Sequence, residues 1–253
     1  MSIDKHTLDL TLSLADDKLI LGHRLSEWCG HGPYVEEDLA LANIALDLLG
    51  AAQSLYNYAA ELHPDYKTAD DFAYMRDDLD FKNAQLLEQP NEDYAHTMLR
   101  QFFYDTYDMF ILSEISKSKD DQLKAIAEKS LKETKYHWRH SSEWILRFGD
   151  GTEESHNRTT KAVNELWTYT GDLFSEDEAY EELKNAGIAP DMQLVKLNWL
   201  QKVKEIFQKA TLEMPDPDAF MRTGGRSGFH TEHLGYILSE MQFLKRTHPE
   251  AEW

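Results

Sequence analysis

The sequence predicts an all-α protein, an antiparallel four-helix bundle with additional helices packed around it. Apolar residues recur with helical spacing along most of the 253 residues, and no series of short alternating strands with hairpin turns occurs. Four of the predicted helices are at least about five turns long and are joined by short connections, which is typical of such a bundle. No long linker, low-complexity tract or tandem repeat interrupts the chain, so we expect a single domain over residues 1–253.

Helix-terminating residues divide the N-terminal half of the chain into five predicted helices. The glycines and proline of GHGP at 30–33 separate the first two, and the proline of QPN at 89–91 precedes the next long one. Asp120 or Asp121 is a suitable N-cap for the last of them, and Gly149 follows its C-terminus. The predicted helices span 9–29, 36–62, 68–75, 93–118 and 121–148.

Similar signals predict four further helices in the C-terminal half. Ser175 precedes Glu178 by three residues, which is the spacing of a capping box. Another helical pattern follows Pro190, and the two prolines of the loop at 213–218 end it. The predicted helices span 154–174, 176–186, 191–212 and 230–247.

The charge balance excludes several classes of partner. Acidic residues outnumber basic ones by 46 to 26, which gives a formal net charge of −20. This charge repels the phosphates of nucleic acids and anionic membrane surfaces, so we expect no nucleic-acid and no membrane partner. Because Cys29 is the one cysteine of the chain, no internal disulfide is available.

The N-terminal sequence differs from a secretory signal. Residues 1–21 carry four aspartates and no basic segment ahead of an apolar run. No stretch of the chain approaches the roughly 18 uninterrupted apolar residues that suggest a membrane span. We therefore expect a cytoplasmic protein.

Polar side chains occur on helix faces that are otherwise apolar. Asn43 and Asp47 are the polar residues of LALANIALDLLGAA at 39–52, and their spacing places them on one face. A helix that is apolar nearly all round is buried, so Asp47 is expected to point into the bundle. Other polar residues in comparable positions are Glu27, Asp105, Asp108, Lys135 and His137.

Converging buried carboxylates need cations, because an unpaired buried carboxylate is costly or takes up a proton. Metal ions are one solution, and positively charged side chains are the other, for which the sequence offers Arg24, Lys135 and His137. A di-iron site in a four-helix bundle takes one carboxylate from each of two helices and a Glu-x-x-His pair from each of the other two.

This chain is short of ligands for such a site. The candidate pair formed by Asp47 and Gly50 lacks its histidine. The second pair, Thr134 and His137, lacks its carboxylate. With two of the six ligands missing, two metal ions would be poorly held and poorly neutralised.

Each of these features also has a structural interpretation. Asp47 could bond to Asn43 or to a neighbouring helix, and His137 could be a hydrogen-bonded core residue. HTEH at 230–233 is not the His-Glu-x-x-His zinc pattern and indicates a helix start with surface or interface histidines. RTGGRSG at 222–228 favours a hinge between helices over a phosphate-binding nest. Core packing is favoured for the aromatic residues Phe102, Phe103, Tyr104, Tyr107 and Phe110.

Five stretches together resemble one protein family. They are LGHRLSEWCGH at 21–31, DLALANIALDLLGAAQ at 38–53, FKNAQLLEQPNEDYAHTMLRQ at 81–101, KETKYHWRH at 132–140 and GGRSGFHTEHLGYILSEMQFL at 224–244. They extend over nearly the whole chain and are similar to the PaaC-type structural subunits of the multicomponent phenylacetyl-CoA 1,2-epoxidase of aerobic phenylacetate catabolism. The resemblance implies a ferritin-like four-helix bundle with additional peripheral helices.

The resemblance also implies a division of labour between two subunits of the same fold. A related catalytic subunit holds the di-iron centre and binds the CoA ester. The PaaC-type subunit has lost the metal and is its structural partner in a heterodimer, which assembles further with the other subunits. On this chain the six ligand positions of the catalytic subunit fall on Glu27, Asp47, Gly50, Asp105, Thr134 and His137. Gly50 and Thr134 cannot replace the ligands required there, so we expect no metal, no cofactor and no catalytic residue in this chain.

Three functional hypotheses stay open. The first is the non-catalytic structural subunit of the epoxidase. The second is an independent ferritin-like di-metal oxidase with the atypical ligand set Glu27, Asp47, Asp105 and His137. The third is a metal-free storage or adaptor bundle unrelated to phenylacetate. A contact from Arg222 or Arg226 to substrate across a subunit interface also stays open.

Overall fold

The computed structural model describes residues 3–63, 66, 68–176, 178–216 and 218–251. Within these residues the regular structure is helical and contains no strand, so the predicted all-α class is confirmed. The capping box predicted from Ser175 and Glu178 lies outside the described side chains. The α-helices are α1 (Ile3–Ser26), α2 (Val35–Leu62), α3 (Ala69–Tyr74), α4 (Tyr94–Ile115), α5 (Asp121–Gly149), α6 (Glu153–Leu166), α7 (Glu178–Ala186), α8 (Met192–Lys209) and α9 (Glu232–Thr247).

The chain forms two compact units. The first contains Met1–Gln89 and Gly224–Trp253, and therefore holds α1, α2, α3 and α9. The second is Pro90–Thr223 and holds α4 to α8. The single domain expected over residues 1–253 stays a prediction.

The first unit is built on the antiparallel pair of α1 and α2. Gly22 of α1 lies against Leu49 of α2, whereas Asp16, earlier on α1, bonds to Tyr56, later on α2. Many of the buried residues of α1 are leucines, because an apolar helix face must be covered by another element. In the same unit α3 packs on α2, and α9 packs on α3 and α1.

One face of α2 is open to solvent. The buried residues of α2 recur every three or four positions between Leu41 and Ala59, as expected for the side that packs on α1. On the opposite side, Leu39 and Leu46 keep 58% and 65% of their surface exposed. The expectation that this helix is buried all round is therefore wrong, because its second apolar face has no covering element in the described chain.

Among the described residues, α2 is also the helix whose length and apolar composition would allow it to cross a membrane. Only 44% of its most apolar stretch is buried. A single helix of this kind is weak support for a membrane protein, because a core helix of a soluble protein can have the same length and composition.

The second unit is built on α4 and α5, which are also antiparallel. Asp105 of α4 bonds to Ser141 of α5. Asp108, one turn later on α4, bonds to Thr134, which comes earlier on α5. Residue numbers therefore rise along one helix as they fall along the other.

Aromatic residues form the core of the second unit. Trp199 of α8 donates a hydrogen bond of 2.9 Å from Nε1 to the Phe103 carbonyl oxygen, and the two rings lie 5.7 Å apart. Rings that pack around this contact belong to Phe102, Trp167, Phe174 and Phe207. The predicted core role of the aromatic residues is confirmed for the buried Phe102, Phe103, Tyr104 and Tyr107, and Phe110 is half-buried.

Two predicted helix boundaries differ from the observed ones for tertiary reasons. α1 begins at Ile3 rather than at residue 9, because its first turns are already packed. α6 ends at Leu166, and the chain continues as the 3-10 helix Trp167–Phe174. There the Thr168 carbonyl oxygen accepts a hydrogen bond of 2.7 Å from the Arg222 backbone N–H, which holds the tightened segment in place.

Replacement of Gly149 by alanine is expected to destabilise the second unit. A Cβ at Gly149 would overlap the Ala210 carbonyl oxygen and side chain, and overpacking of this kind costs about 1–3 kcal/mol. Gly235→Ala is the control, because a Cβ there would meet nothing within 4 Å and alanine is the better helix former. Thermal unfolding followed by circular dichroism should give a lower Tm for Gly149→Ala than for wild type and control. Equal Tm values for the two variants would contradict this packing.

Candidate functional site among the buried carboxylates

Three of the six predicted ligand positions lie in the first unit, and none of them is fully buried. Glu27 is exposed just after the end of α1, and its Oε1 accepts a hydrogen bond of 2.7 Å from Arg24 Nη1. Asp47 is half-buried, and Gly50 faces open space, since a Cβ built there would meet nothing within 4 Å. Asn43 is exposed, so the expectation of a buried pair with Asp47 is wrong.

The other three positions lie in the second unit and are buried among polar groups. Asp105 accepts hydrogen bonds of 2.7 Å from Gln101 Nε2 at Oδ1 and from Ser141 Oγ at Oδ2. Thr134 Oγ1 donates a bond of 2.7 Å to Asp108 Oδ2. Hydrogen bonds to an ionised acceptor are short and strong, so these neutral donors compensate both carboxylates for much of their lost hydration.

α5 turns His137 inward and Lys135 outward. His137 is 2% exposed, which agrees with its interpretation as a core histidine. Thr134, one turn earlier, lies on the same buried face. Lys135 is exposed, so the expectation that it adds positive charge beside the interior carboxylates is wrong.

Asp16 and Asp17, adjacent residues of α1, carry carboxylates of the first unit that have no exposed surface. Arg76 donates to Asp16 from Nη2 at 2.5 Å and from Nη1 at 3.1 Å. Tyr56 Oη donates a further bond of 2.5 Å, and the Lys82 backbone N–H donates one of 2.8 Å. The guanidinium of Arg76 is therefore the counter-charge of Asp16.

Asp17 is paired with an arginine from near the other end of the chain. Arg226 donates from Nη1 and Nη2 to the two oxygens of Asp17, at 2.8 Å each. The Ala84 backbone N–H adds a third bond of 2.8 Å. This ion pair holds Arg226 at the 3-10 turn Gly225–Ser227. The hinge favoured for the glycine-rich stretch and its alternative, a phosphate-binding nest, stay predictions.

Glu88 accepts hydrogen bonds from the segment that precedes α9. His230 Nδ1 lies 2.5 Å from Glu88 Oε1, and Nε2 lies 2.9 Å from the Phe81 carbonyl oxygen. A carboxylate and a carbonyl are both acceptors, so the geometry fits a protonated imidazole that donates from both nitrogens. Thr231 donates to Glu88 Oε2 with its N–H and its hydroxyl, at 2.8 and 2.6 Å. The expectation of a surface or interface histidine is therefore wrong for His230.

Burial and pairing shift the pKa values of these groups in opposite directions. Burial raises the pKa of Asp17 above its ordinary value, although the Arg226 guanidinium acts to lower it. Burial lowers the pKa of His230, but the hydrogen bond and charge of Glu88 outweigh burial, so the net pKa lies above its ordinary value. The partner therefore outweighs burial for the pKa of His230, whereas burial outweighs the partner for the pKa of Asp17.

Sequence reasoning missed these ion pairs because their partners lie far apart along the chain. The available signal is the position of Asp16 and Asp17 among leucines on an otherwise apolar helix, which indicates burial. Periodicity does not reveal that their partners, Arg76 and Arg226, lie 60 and 209 residues away in the sequence.

The predicted ligand positions do not fit a pair of irons. Gly50 has no side chain, and the hydroxyl of Thr134 is engaged with Asp108. Within the part of the chain that the structure describes, no three histidine, cysteine, aspartate or glutamate side chains are grouped to hold a metal ion. That this chain carries no metal, no cofactor and no catalytic residue stays a prediction.

The sequence is similar to known proteins over almost its entire length. Residues 2–253 match the family described as phenylacetic acid catabolic protein. A curated relative, the C-type subunit of the 1,2-phenylacetyl-CoA epoxidase of Escherichia coli strain K12, is 45% identical over 243 residues. The matched region covers 96% of this chain and 97% of the relative.

Replacement of Arg76 by methionine is expected to cost about 3–5 kcal/mol of unfolding free energy, because it leaves Asp16 buried without its counter-charge. Combining it with Asp16→Leu should recover stability, since no uncompensated buried charge remains. Arg139→Met is the control, because its exposed pair with Glu143 is worth at most about 1 kcal/mol. Urea unfolding followed by circular dichroism measures all three variants. An Arg76→Met protein as stable as the control would show that the buried pair does not matter.

The pair of His230 and Glu88 predicts a pH dependence of stability. The pKa of His230 is raised above 6.5 in the folded protein, so its stabilising contribution is complete below that pH and is lost as the pH rises through the raised pKa. The difference in unfolding free energy between wild type and His230→Gln should therefore shrink between about pH 6 and pH 9. Urea titrations at several pH values measure it. A difference that grows with pH would contradict the protonated imidazole.

Proposed function

Because the chain belongs to the phenylacetic acid catabolic protein family, we propose that it is the non-catalytic structural subunit of a phenylacetyl-CoA epoxidase. Its fold class is the predicted one, all-α and ferritin-like. In this role the chain pairs with a related catalytic subunit of the same fold, which carries the di-iron centre, and the pair assembles further with the other subunits. The 45% identity to the C-type epoxidase subunit of Escherichia coli, over 96% of the chain, carries the assignment to the complex.

The hydrogen bonds of the buried carboxylates support the non-catalytic role. Both oxygens of Asp105 are engaged, by Gln101 and by Ser141, and a metal ligand there would have to give up these donors. Thr134 stands where a second carboxylate is required and donates to Asp108 instead. Neutral hydrogen-bond donors thus meet both of these carboxylates, which supports a structural role for them.

The charge of the chain supports a division of labour with the partner. CoA itself carries several negative charges, and a protein with a net charge of −20 attracts such a ligand poorly. Binding of the CoA ester therefore falls to the catalytic subunit. The same charge disfavours nucleic-acid and anionic membrane partners. A cytoplasmic location fits the single cysteine, which leaves no internal disulfide.

Iron analysis and turnover test the proposed role. After anaerobic iron loading, the purified chain should hold far less than one iron per chain and should show no epoxidation. In the complex reconstituted with the catalytic subunit, His137→Gln should leave turnover within about twofold of wild type, because His137 touches no substrate or metal in this proposal. Circular dichroism checks that the variant is folded.

Two outcomes would favour the other hypotheses. About two irons per chain, with oxygen reactivity that disappears in His137→Gln, would indicate an independent di-metal oxidase. A pull-down from cells grown on phenylacetate that recovers no epoxidase subunit would instead indicate a storage or adaptor protein.

A further inference from the structure

A cavity of about 200 Å³ lies in the second unit, between the start of α4 and one side of α6. Two of the residues that line it are buried, His96 of α4 and Ala162 of α6. The charged residues around it are Glu92, Asp93, Arg158, Lys161 and Glu165. The function proposed above uses none of these side chains, so the cavity calls for an explanation of its own.

His96 brings a buried imidazole to the cavity. The residue is 6% exposed, and among the described residues its Nδ1 has no hydrogen-bond partner. A buried polar atom in this condition is uncommon, because it has lost its bonds to water without replacing them. A neutral imidazole offers one N–H donor and one acceptor nitrogen. The ring therefore retains hydrogen-bonding capacity that a ligand can use.

The charges around the His96 ring favour a negative ligand. The pKa of His96 is lowered from 6.5 to about 4, first by burial and then by the positive charge of Arg100, to which Lys161 adds. The carboxylate of Asp93 acts in the opposite direction, with less effect than Arg100. The imidazole is therefore neutral at pH 7, and the two cations that disfavour its protonation attract an anion to the same place.

Lys161 is the cation best placed to hold such an anion. Its Nζ lies 3.6 Å from Glu165 Oε1, which is too far for a hydrogen bond, and its side chain is 70% exposed. Arg158 is already engaged, since its Nη1 donates to Asp93 Oδ2 at 3.2 Å. The other oxygen of Asp93 accepts a bond of 2.9 Å from the His96 backbone N–H. Donors thus meet both oxygens of Asp93, which reduces its repulsion of a second carboxylate.

We propose that this cavity binds the carboxylate of a small organic acid between Lys161 Nζ and the His96 ring. The ammonium group supplies the counter-charge, and the neutral imidazole supplies an N–H donor. Ala162 provides an apolar wall for a methyl or methylene group of the ligand. This site is independent of the proposed function, because it uses residues of this chain alone.

The surroundings restrict the ligand to a small monoanion. A wider cavity of about 620 Å³ shares Asp93, Arg158 and Lys161 with the smaller one and is also bordered by Glu153 and Glu154. These carboxylates repel an extended polyanion such as a nucleotide. A single carboxylate in the smaller cavity carries one negative charge, which the ammonium group can balance.

Titration with sodium acetate at pH 7 and constant ionic strength, followed by NMR of the protein labelled with ¹⁵N-histidine, tests the site. The imidazole signals of His96 are assigned from the spectrum of His96→Gln. We expect them to shift saturably, with a Kd of about 1–10 mM. Lys161→Ala should weaken this binding at least about fivefold, because it removes the counter-charge.

The matched control is Lys117→Ala. The side chain of Lys117 is 66% exposed and pairs with one glutamate, as Lys161 does, but it does not line the cavity. The control should bind acetate like wild type, and circular dichroism should give equal Tm values for the two lysine variants and wild type.

Three results would overturn the proposal. One is no saturable shift of the His96 signals up to about 100 mM acetate. Another is acetate binding that Lys161→Ala leaves unchanged, which would place the anion elsewhere on the protein. The third is a tighter response to inorganic phosphate or to Zn²⁺ than to acetate, which would assign the cavity to a different class of ligand.

Discussion

A buried carboxylate is stable only where a cation or several hydrogen-bond donors meet it, and this constraint organises the structure. In the first unit three such carboxylates draw their partners from distant parts of the sequence. The pairs are Asp16 with Arg76, Asp17 with Arg226 and Glu88 with His230. These pairs hold two segments against the antiparallel pair of α1 and α2. One segment lies between α3 and α4, and the other precedes α9. The first unit therefore brings together residues from both ends of the chain.

These ion pairs contribute more to specifying one packing arrangement of the chain than to the net free energy of folding. Taking two charges out of water costs nearly as much as their attraction returns, whereas a mispaired charge in the same interior is strongly unfavourable. Arg76 illustrates the point, since its guanidinium also packs over the Phe81 ring at 4.2 Å and is enclosed by protein on every side. An alternative packing would leave such a charge without a partner, so the folded chain is confined to the paired one.

The second unit meets the same constraint with neutral donors. A hydroxyl and an amide donate to Asp105, and another hydroxyl donates to one oxygen of Asp108. In both units the interior carboxylates are thus engaged in holding the protein together.

Local patterns were enough to determine the all-α class, the approximate helix bounds, the aromatic core around Phe103 and the family, because each depends on spacing within one segment or on motifs read along the chain. The sequence also showed that Gly50 and Thr134 break the ligand pattern of a di-iron centre. The tertiary structure alone decided that Asp16 meets Arg76, that Arg226 is an internal anchor and that one side of α2 stays open. These features depend on which elements cover which faces, and residues up to 209 positions apart take part in them. An apolar helix face has the same sequence whether its own chain or another chain covers it, and only the packed structure distinguishes the two.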